Sequence, residues 1–139
     1  MKFFLMLAVF LLSISAFAKN EIDVTNVTIK ALPPTSKVTA IYFTIQNNTN
    51  KPITLEKING KFAENFEIHD MKTEKGVMKM TKLNNVLIEE KSSVTFDKHG
   101  KHVMVFDPFE PIRVQQKYGI ELVFTNGKTV YAEAIGVTP

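Results

Sequence analysis

The chain has 139 residues, 17 Lys+Arg against 14 Asp+Glu, a formal charge of +3, no cysteine, no tryptophan, six methionines and three histidines. Length argues for one domain able to bury its own core. Zero cysteine excludes a disulfide scaffold, a zinc ribbon, a thiol nucleophile and a thiolate-bound metal, and a charge of +3 with no basic run leaves no footprint for nucleic acid.

Met1-Lys2 sets a positive charge before an unbroken apolar run, Phe3 to Leu12, and the following stretch closes on Ala16-Phe17-Ala18. This is the order of a secretory signal peptide. Residues 1–18 are expected to be cleaved after Ala18, leaving residues 19–139 as the mature domain. Ten apolar residues are too few to span a bilayer, and no cysteine follows to carry a lipid. Export with no stable membrane insertion of the mature chain is the expectation. Met1 and Met6 leave with the signal, so the mature methionines are Met71, Met78, Met80 and Met104.

The body reads as strands. Residues 41–46 alternate, with Ile41, Phe43 and Ile45 on one face, and 53–58 and 120–124 are short apolar-rich runs. Val130, Ala132 and Ala134 recur at period two, the signature of a half-buried strand. No 3.6-residue period persists over three turns. Asn59-Gly60, Gly100 and Asn126-Gly127 read as turns, with Asn126-Gly127 expected to close a hairpin through a type I′ turn. Pro108 and Pro111 predict a loop after residue 106. Short strands punctuated this often predict an all-β, antiparallel sandwich or barrel in one domain.

The soft ligands are concentrated. All four mature methionines and all three histidines lie between residues 69 and 104. His69 and Met71 are two apart, as are Met78 and Met80, and His102 and Met104. In a strand, residues i and i+2 share a face. Phe66 and Ile68 suit a core, which leaves Glu67, His69 and Met71 opposite. Val103 and Val105 suit a core, which leaves His102, Met104 and Phe106 opposite. Buried methionine is a common core filler, but these methionines sit off the packing parity. His99-Gly100 reads as a turn, with His99 outside the ligand set.

Thioether is a soft neutral donor and imidazole a borderline one, a pairing that suits Cu(I) better than Zn(II). Thioethers also survive an oxidising compartment in which a thiolate cluster would form disulfides. Such a site weakens in acid as imidazole protonates.

The spacing His69, ten residues, Met80, twenty-one residues, His102, one residue, Met104 resembles the signature of the PCuAC family of periplasmic copper chaperones. The flanking text is similar too: Glu67-Ile68-His69-Asp70-Met71, Gly76-Val77-Met78-Lys79-Met80 and Gly100-Lys101-His102-Val103-Met104. The resemblance implies a cupredoxin-like Greek-key β-sandwich and one Cu(I) held at an exposed site by His69, Met80, His102 and Met104. Met71 would replace or supplement His69. It also implies delivery of copper to a recipient such as the CuA subunit of cytochrome c oxidase or an assembly factor, by ligand exchange. Some members add a Met/His-rich tail that binds Cu(II); the ending Gly136-Val137-Thr138-Pro139 predicts no such site.

The expectation is therefore a monomeric periplasmic copper carrier, not an enzyme, with Val77 and Phe106 beside the site as a docking rim. The alternative is a metal-free secreted β-sandwich interaction domain, in which these His and Met residues would be buried and far apart. Blue-copper electron transfer needs a cysteine. A hydrolase would need a nucleophile motif such as G-x-S-x-G, and none is present.

Overall fold

A computed structural model describes residues 18–139. The expected signal peptide, apart from Ala18, lies outside the described residues. Ten strands and no helix make up the described chain: β1 (Ile22–Lys30), β2 (Val38–Asn47), β3 (Ile53–Gly60), β4 (Ala63–Glu74), β5 (Val77–Leu83), β6 (Val86–Ile88), β7 (Ser93–Phe96), β8 (His102–Pro108), β9 (Lys117–Phe124) and β10 (Thr129–Val137). Hydrogen bonds join them in the order β5-β4-β8-β2-β1-β10-β9-β3-β6, with β7 also on β2. Every pairing is antiparallel except β1 with β10.

The sheet is continuous, and its two halves share one core. Ile41, Phe43, Ile45, Val103 and Val105 from one half meet Leu55, Ile88, Ile120, Leu122 and Phe124 from the other in a single buried cluster. The alternation expected of residues 41–46 is what places Ile41, Phe43 and Ile45 inward. Phe43 stacks on its cross-strand partner Phe96, ring centroids 4.4 Å apart. Each fully buried side chain of this kind contributes about 1.5–3 kcal/mol, so the core holds without a disulfide.

Three turns differ from expectation. Asn59 and Gly60 belong to the end of β3, paired with Glu121 and Ile120 of β9, and a side chain at Gly60 would meet the rings of Phe66 and Phe62 at 2.7 and 2.9 Å. Asn126-Gly127 does close the β9–β10 hairpin, but the loop has three residues and only Gly127 takes positive φ. Gly127 N–H donates to the Phe124 carbonyl at 3.0 Å and Phe124 N–H to the Lys128 carbonyl at 2.9 Å, the pattern of a type I turn closed by a glycine bulge. The type I′ turn lies elsewhere, at Lys75-Gly76 between β4 and β5. Both residues have positive φ, 51° and 77°, and Glu74 pairs with Val77 across it. The strand expected to end at residue 106 runs on to Pro108.

Two features set the stage for the site. First, β7 and β8 lie end to end along one edge of β2: Phe43 pairs with Phe96 and Ile41 with Val103. Between them residues 97–101 leave the sheet in a turn held by Asp97, whose carboxylate accepts from His99 N–H and whose N–H reaches the Lys101 carbonyl. Second, the β4–β5 hairpin extends past the core to the end of the sheet, and six of the seven residues of β5 are exposed.

Candidate metal centre

The register fixes which side chains can meet. On β4, Glu67, His69, Met71 and Thr73 share a face by period two. Residues paired across neighbouring strands share it as well. Met80 faces Met71, Lys82 faces His69 and Met78 faces Thr73 on β5. His102 faces His69 and Met104 faces Glu67 on β8. All five expected ligands, His69, Met71, Met80, His102 and Met104, therefore lie on one face of three adjacent strands. The opposite parity carries the buried Ile68, Val103 and Val105, as the sequence pattern predicts.

His69 is the hub of this set. His102 is its direct cross-strand neighbour, with ring centroids 5.9 Å apart. Met71 is two residues along the strand, while Met80 and Met104 are its diagonal neighbours on either side, about 7–8 Å away between backbones and within reach of long side chains. The hairpin's closing pair Glu74–Val77 is hydrogen-bonded, so alternation makes Met71–Met80 a non-hydrogen-bonded pair, in which side chains approach most closely. Met71 N–H accordingly points the other way and donates to the Gly100 carbonyl at 3.2 Å.

Both imidazoles are held with one nitrogen free. His102 is 4% exposed, and its Nδ1 lies 2.9 Å from the Gly100 carbonyl. A carbonyl only accepts, so Nδ1 carries a proton, which in the neutral ring leaves Nε2 with the lone pair. His69 Nε2 lies 2.8 Å from Glu67 Oε2, which in the neutral ring leaves Nδ1 with the lone pair. That Nδ1 is buried and has no hydrogen-bond partner. A buried polar atom without a partner calls for an explanation, and an imidazole anchored through its other N–H to a carboxylate or carbonyl is how metal-binding histidines are held.

Glu67 is itself fixed from three sides. His69 Nε2–H donates to one oxygen, and Lys82 Nζ at 3.1 Å and Asn65 Nδ2 at 3.2 Å donate to the other. The His69 N–H first, and then the Lys82 ammonium, hold the Glu67 carboxyl below the usual carboxylate range. No trio of His, Cys, Asp or Glu suited to a metal occurs among the described residues. What the face offers is two imidazoles beside four thioethers, three of them in the expected ligand set.

The family description "Putative lipoprotein LpqE-like" matches residues 22–135, from the start of β1 into β10. The chain belongs to the LpqE-like family. Its 139 residues contain no cysteine that could carry a lipid. Among solved structures, it is similar to the copper-bound PCuAC domain from PmoF2, at 18% identity and a TM-score of 0.73, over 88% of this chain and 97% of that one. It is also similar to the Cu(I) form of DR1885 from Deinococcus radiodurans, at 27% identity and a TM-score of 0.60, over 79% and 74%. The expected likeness to PCuAC domains thus holds for the fold as a whole, cupredoxin-like and all-β. Among curated proteins, the uncharacterized protein RP573 of Rickettsia prowazekii is 31% identical over 86 residues, which is 61% of this chain and 48% of that protein. The chain spans about half the length of that relative.

In this LpqE-like chain the remaining candidates separate cleanly. His99 is exposed in the turn after β7, where its N–H donates to the Asp97 carboxylate. Val77 has the parity of Glu74 and Lys79, so it points to the other side of the hairpin from Met80 and is not part of a rim around the site. Phe106 does share the face, its ring 6.5 Å from that of His69. The i, i+2 pattern puts Glu67 on the face of His69 and Met71 but assigns it no role; its role as an anchor for His69 appears only in the contact between them. Lys82 is visible only through the β4–β5 register. A metal-free interaction domain would scatter the His and Met residues; the five candidate ligands instead lie on one face of β4, β5 and β8.

Proposed function

We propose that this chain is a Cu(I) carrier of the bacterial periplasm, with His69, Met71, Met80, His102 and Met104 as its ligands. The observation that carries the reading is the orphaned, buried Nδ1 of His69, across the strand pair from His102, on a face lined by thioethers. Neutral soft donors with no carboxylate free to bind favour a monovalent soft cation over Zn(II) or Mg(II). The PmoF2 domain and DR1885, both named as copper-bound, support the assignment of the cation.

The geometry suits a carrier. The histidines are recessed, while Met80 is 49% exposed on the terminal strand of the sheet. Copper held this way has imidazole behind it and thioether toward solvent, so an acceptor's ligand approaches the ion from the methionine side. The function is binding and transfer, without a catalysed bond change. No helix among the described residues is long and apolar enough to cross a membrane. Export rests on the signal-like start at residues 1–18, and the acceptor on the family resemblance: the CuA subunit of cytochrome c oxidase or one of its assembly factors. The carrier acts as a monomer.

The test is a titration of residues 19–139 with Cu(I), or with Ag(I) as a redox-inert stand-in, against a chelator of known affinity. A Met80→Leu, Met104→Leu double variant is measured alongside. The wild type should bind one equivalent and the double variant at least about a hundredfold more weakly, the loss of about 1.4 kcal/mol per thioether. Equal binding by the two, or none by either, refutes the proposal.

A further inference from the structure

Met78 takes no part in the five-ligand set, yet it lies on the same face, one pair beyond Met71–Met80, opposite Thr73. Its side chain is 55% exposed. On the last strand of a sheet an exposed, flexible apolar side chain is a liability for edge pairing, and the neighbouring Lys79 and Lys82 are the charged residues that normally blunt such an edge. Nothing in the fold calls for a thioether at 78. Met78 lies outside the buried cluster that forms the core.

Exposure falls steadily along this face. Met78 is 55% exposed, Met80 49%, the His69 side chain 14% and His102 4%. Met78 is two residues from Met80 and diagonal to Met71, so the three side chains form a triangle that long, rotatable thioethers can close on one point. The triangle sits at the tip of a hairpin fixed by the Lys75-Gly76 turn, further out than either imidazole.

We infer that Met71, Met78 and Met80 form an outboard all-thioether landing position for Cu(I), through which the ion enters and leaves the His69–His102 site. The inference rests on the copper reading above and adds a route to it. Copper arrives on Met78 and Met80, is shared by Met71 and Met80 with His69, and settles with His102 and Met104. Release runs the same sequence in reverse, so the acceptor meets the ion at the hairpin tip. At every step a leaving thioether is replaced by another neutral donor, and no electron or proton is transferred.

Two measurements on residues 19–139 test it, both with Ag(I) or Cu(I) itself as the probe. In methyl-labelled protein, substoichiometric Ag(I) should shift the ε-methyl resonance of Met78 along with those of Met71, Met80 and Met104. In stopped-flow transfer to a chelator, Met78→Leu should slow both loading and unloading by about tenfold, equivalent to about 1.4 kcal/mol at the barrier. A Met78 resonance that stays still while the other three move overturns the inference and leaves the copper site standing, as do unchanged transfer rates. A tenfold loss of equilibrium affinity in Met78→Leu without a change in rates also overturns it, by making Met78 a resident ligand. If no methionine resonance moves, the copper reading itself is what fails.

Discussion

Glu67 touches no metal in the proposed scheme, yet its removal should weaken binding. Its Oε2 receives the Nε2–H of His69 at 2.8 Å, and this contact fixes the ring with Nδ1 buried and unpartnered. Carboxylates that orient a metal-binding imidazole also raise its basicity, and their loss usually costs 10–100-fold in affinity, or about 1.4–2.7 kcal/mol. Three variants separate the parts of that effect. Glu67→Leu removes both acceptor and charge, so it should lose about a hundredfold. Glu67→Gln keeps an oxygen for Nε2–H but loses the charge, so it should lose nearer tenfold. Lys82→Gln removes only a cation whose side chain is 59% exposed, and such surface pairs are worth about 0–1 kcal/mol, so it should lose less than about fivefold. The assay is competition for Cu(I) against a chelator at neutral pH, with the fold of each variant checked by its amide spectrum. If Glu67→Leu stays folded and binds within about threefold of the wild type, His69 is not held for metal by Glu67 and the reasoning fails.

Acid should act through Glu67 in the metal-free protein as well. Its folded pKa lies below the ordinary 4.5, so it contributes stability above that pH and loses it as pH falls through the folded value; Glu67→Gln should flatten this acid limb in denaturant melts taken from pH 6 downward. At Gly136 an added Cβ would sit 1.9 Å from the Arg113 carbonyl oxygen, where backbone bonds from Gln115 and to Gln116 leave no room to shift; Gly136→Ala should cost at least about 3 kcal/mol and lower Tm by more than about 10 °C. Asn47 is fully buried, donating to the carbonyls of Lys51, Ile88 and Glu89 and accepting from both the backbone and hydroxyl of Thr49; Asn47→Leu should cost about 3 kcal/mol by stranding those groups, read by equilibrium unfolding. Gly76→Val places a β-branched residue at φ 77°, a cost of about 1–2 kcal/mol confined to the hairpin; hydrogen exchange should quicken in β5 while the amides of β2 and β9 stay protected.

How far the sequence discloses this molecule depends on whether a signal is local. The alternation of Ile41, Phe43 and Ile45 is local, and all three are fully buried or nearly so. In β1 the same logic is masked: Ile22 and Val24 share one parity, Val27 and Ile29 the other, because a bulge at Asn26, φ 54°, resets the register between Thr25 and Thr28. A period-two reading loses the strand at that slip. Turn chemistry is local but not unique: Asn-Gly suits type I′, yet at 126–127 the strand register allows three residues, and at 59–60 two phenylalanine rings claim the space. Lys75-Gly76 takes the I′ geometry even though lysine is a poor residue for positive φ, because the pairing of seven residues of β4 with β5 holds it there. The candidate site was legible for a particular reason. Its donors repeat at i and i+2 opposite to Ile68, Val103 and Val105, so each strand announces by itself which face carries chemistry. What no single strand announces is which strands lie side by side. Glu67 becomes an anchor, and Met78 an outboard neighbour of Met71 and Met80, only once β4 is set between β5 and β8. That order comes from the buried cluster shared by both halves of the sheet and not from any residue of the site. The His and Met pattern named the donors, and the core decided which of them would meet.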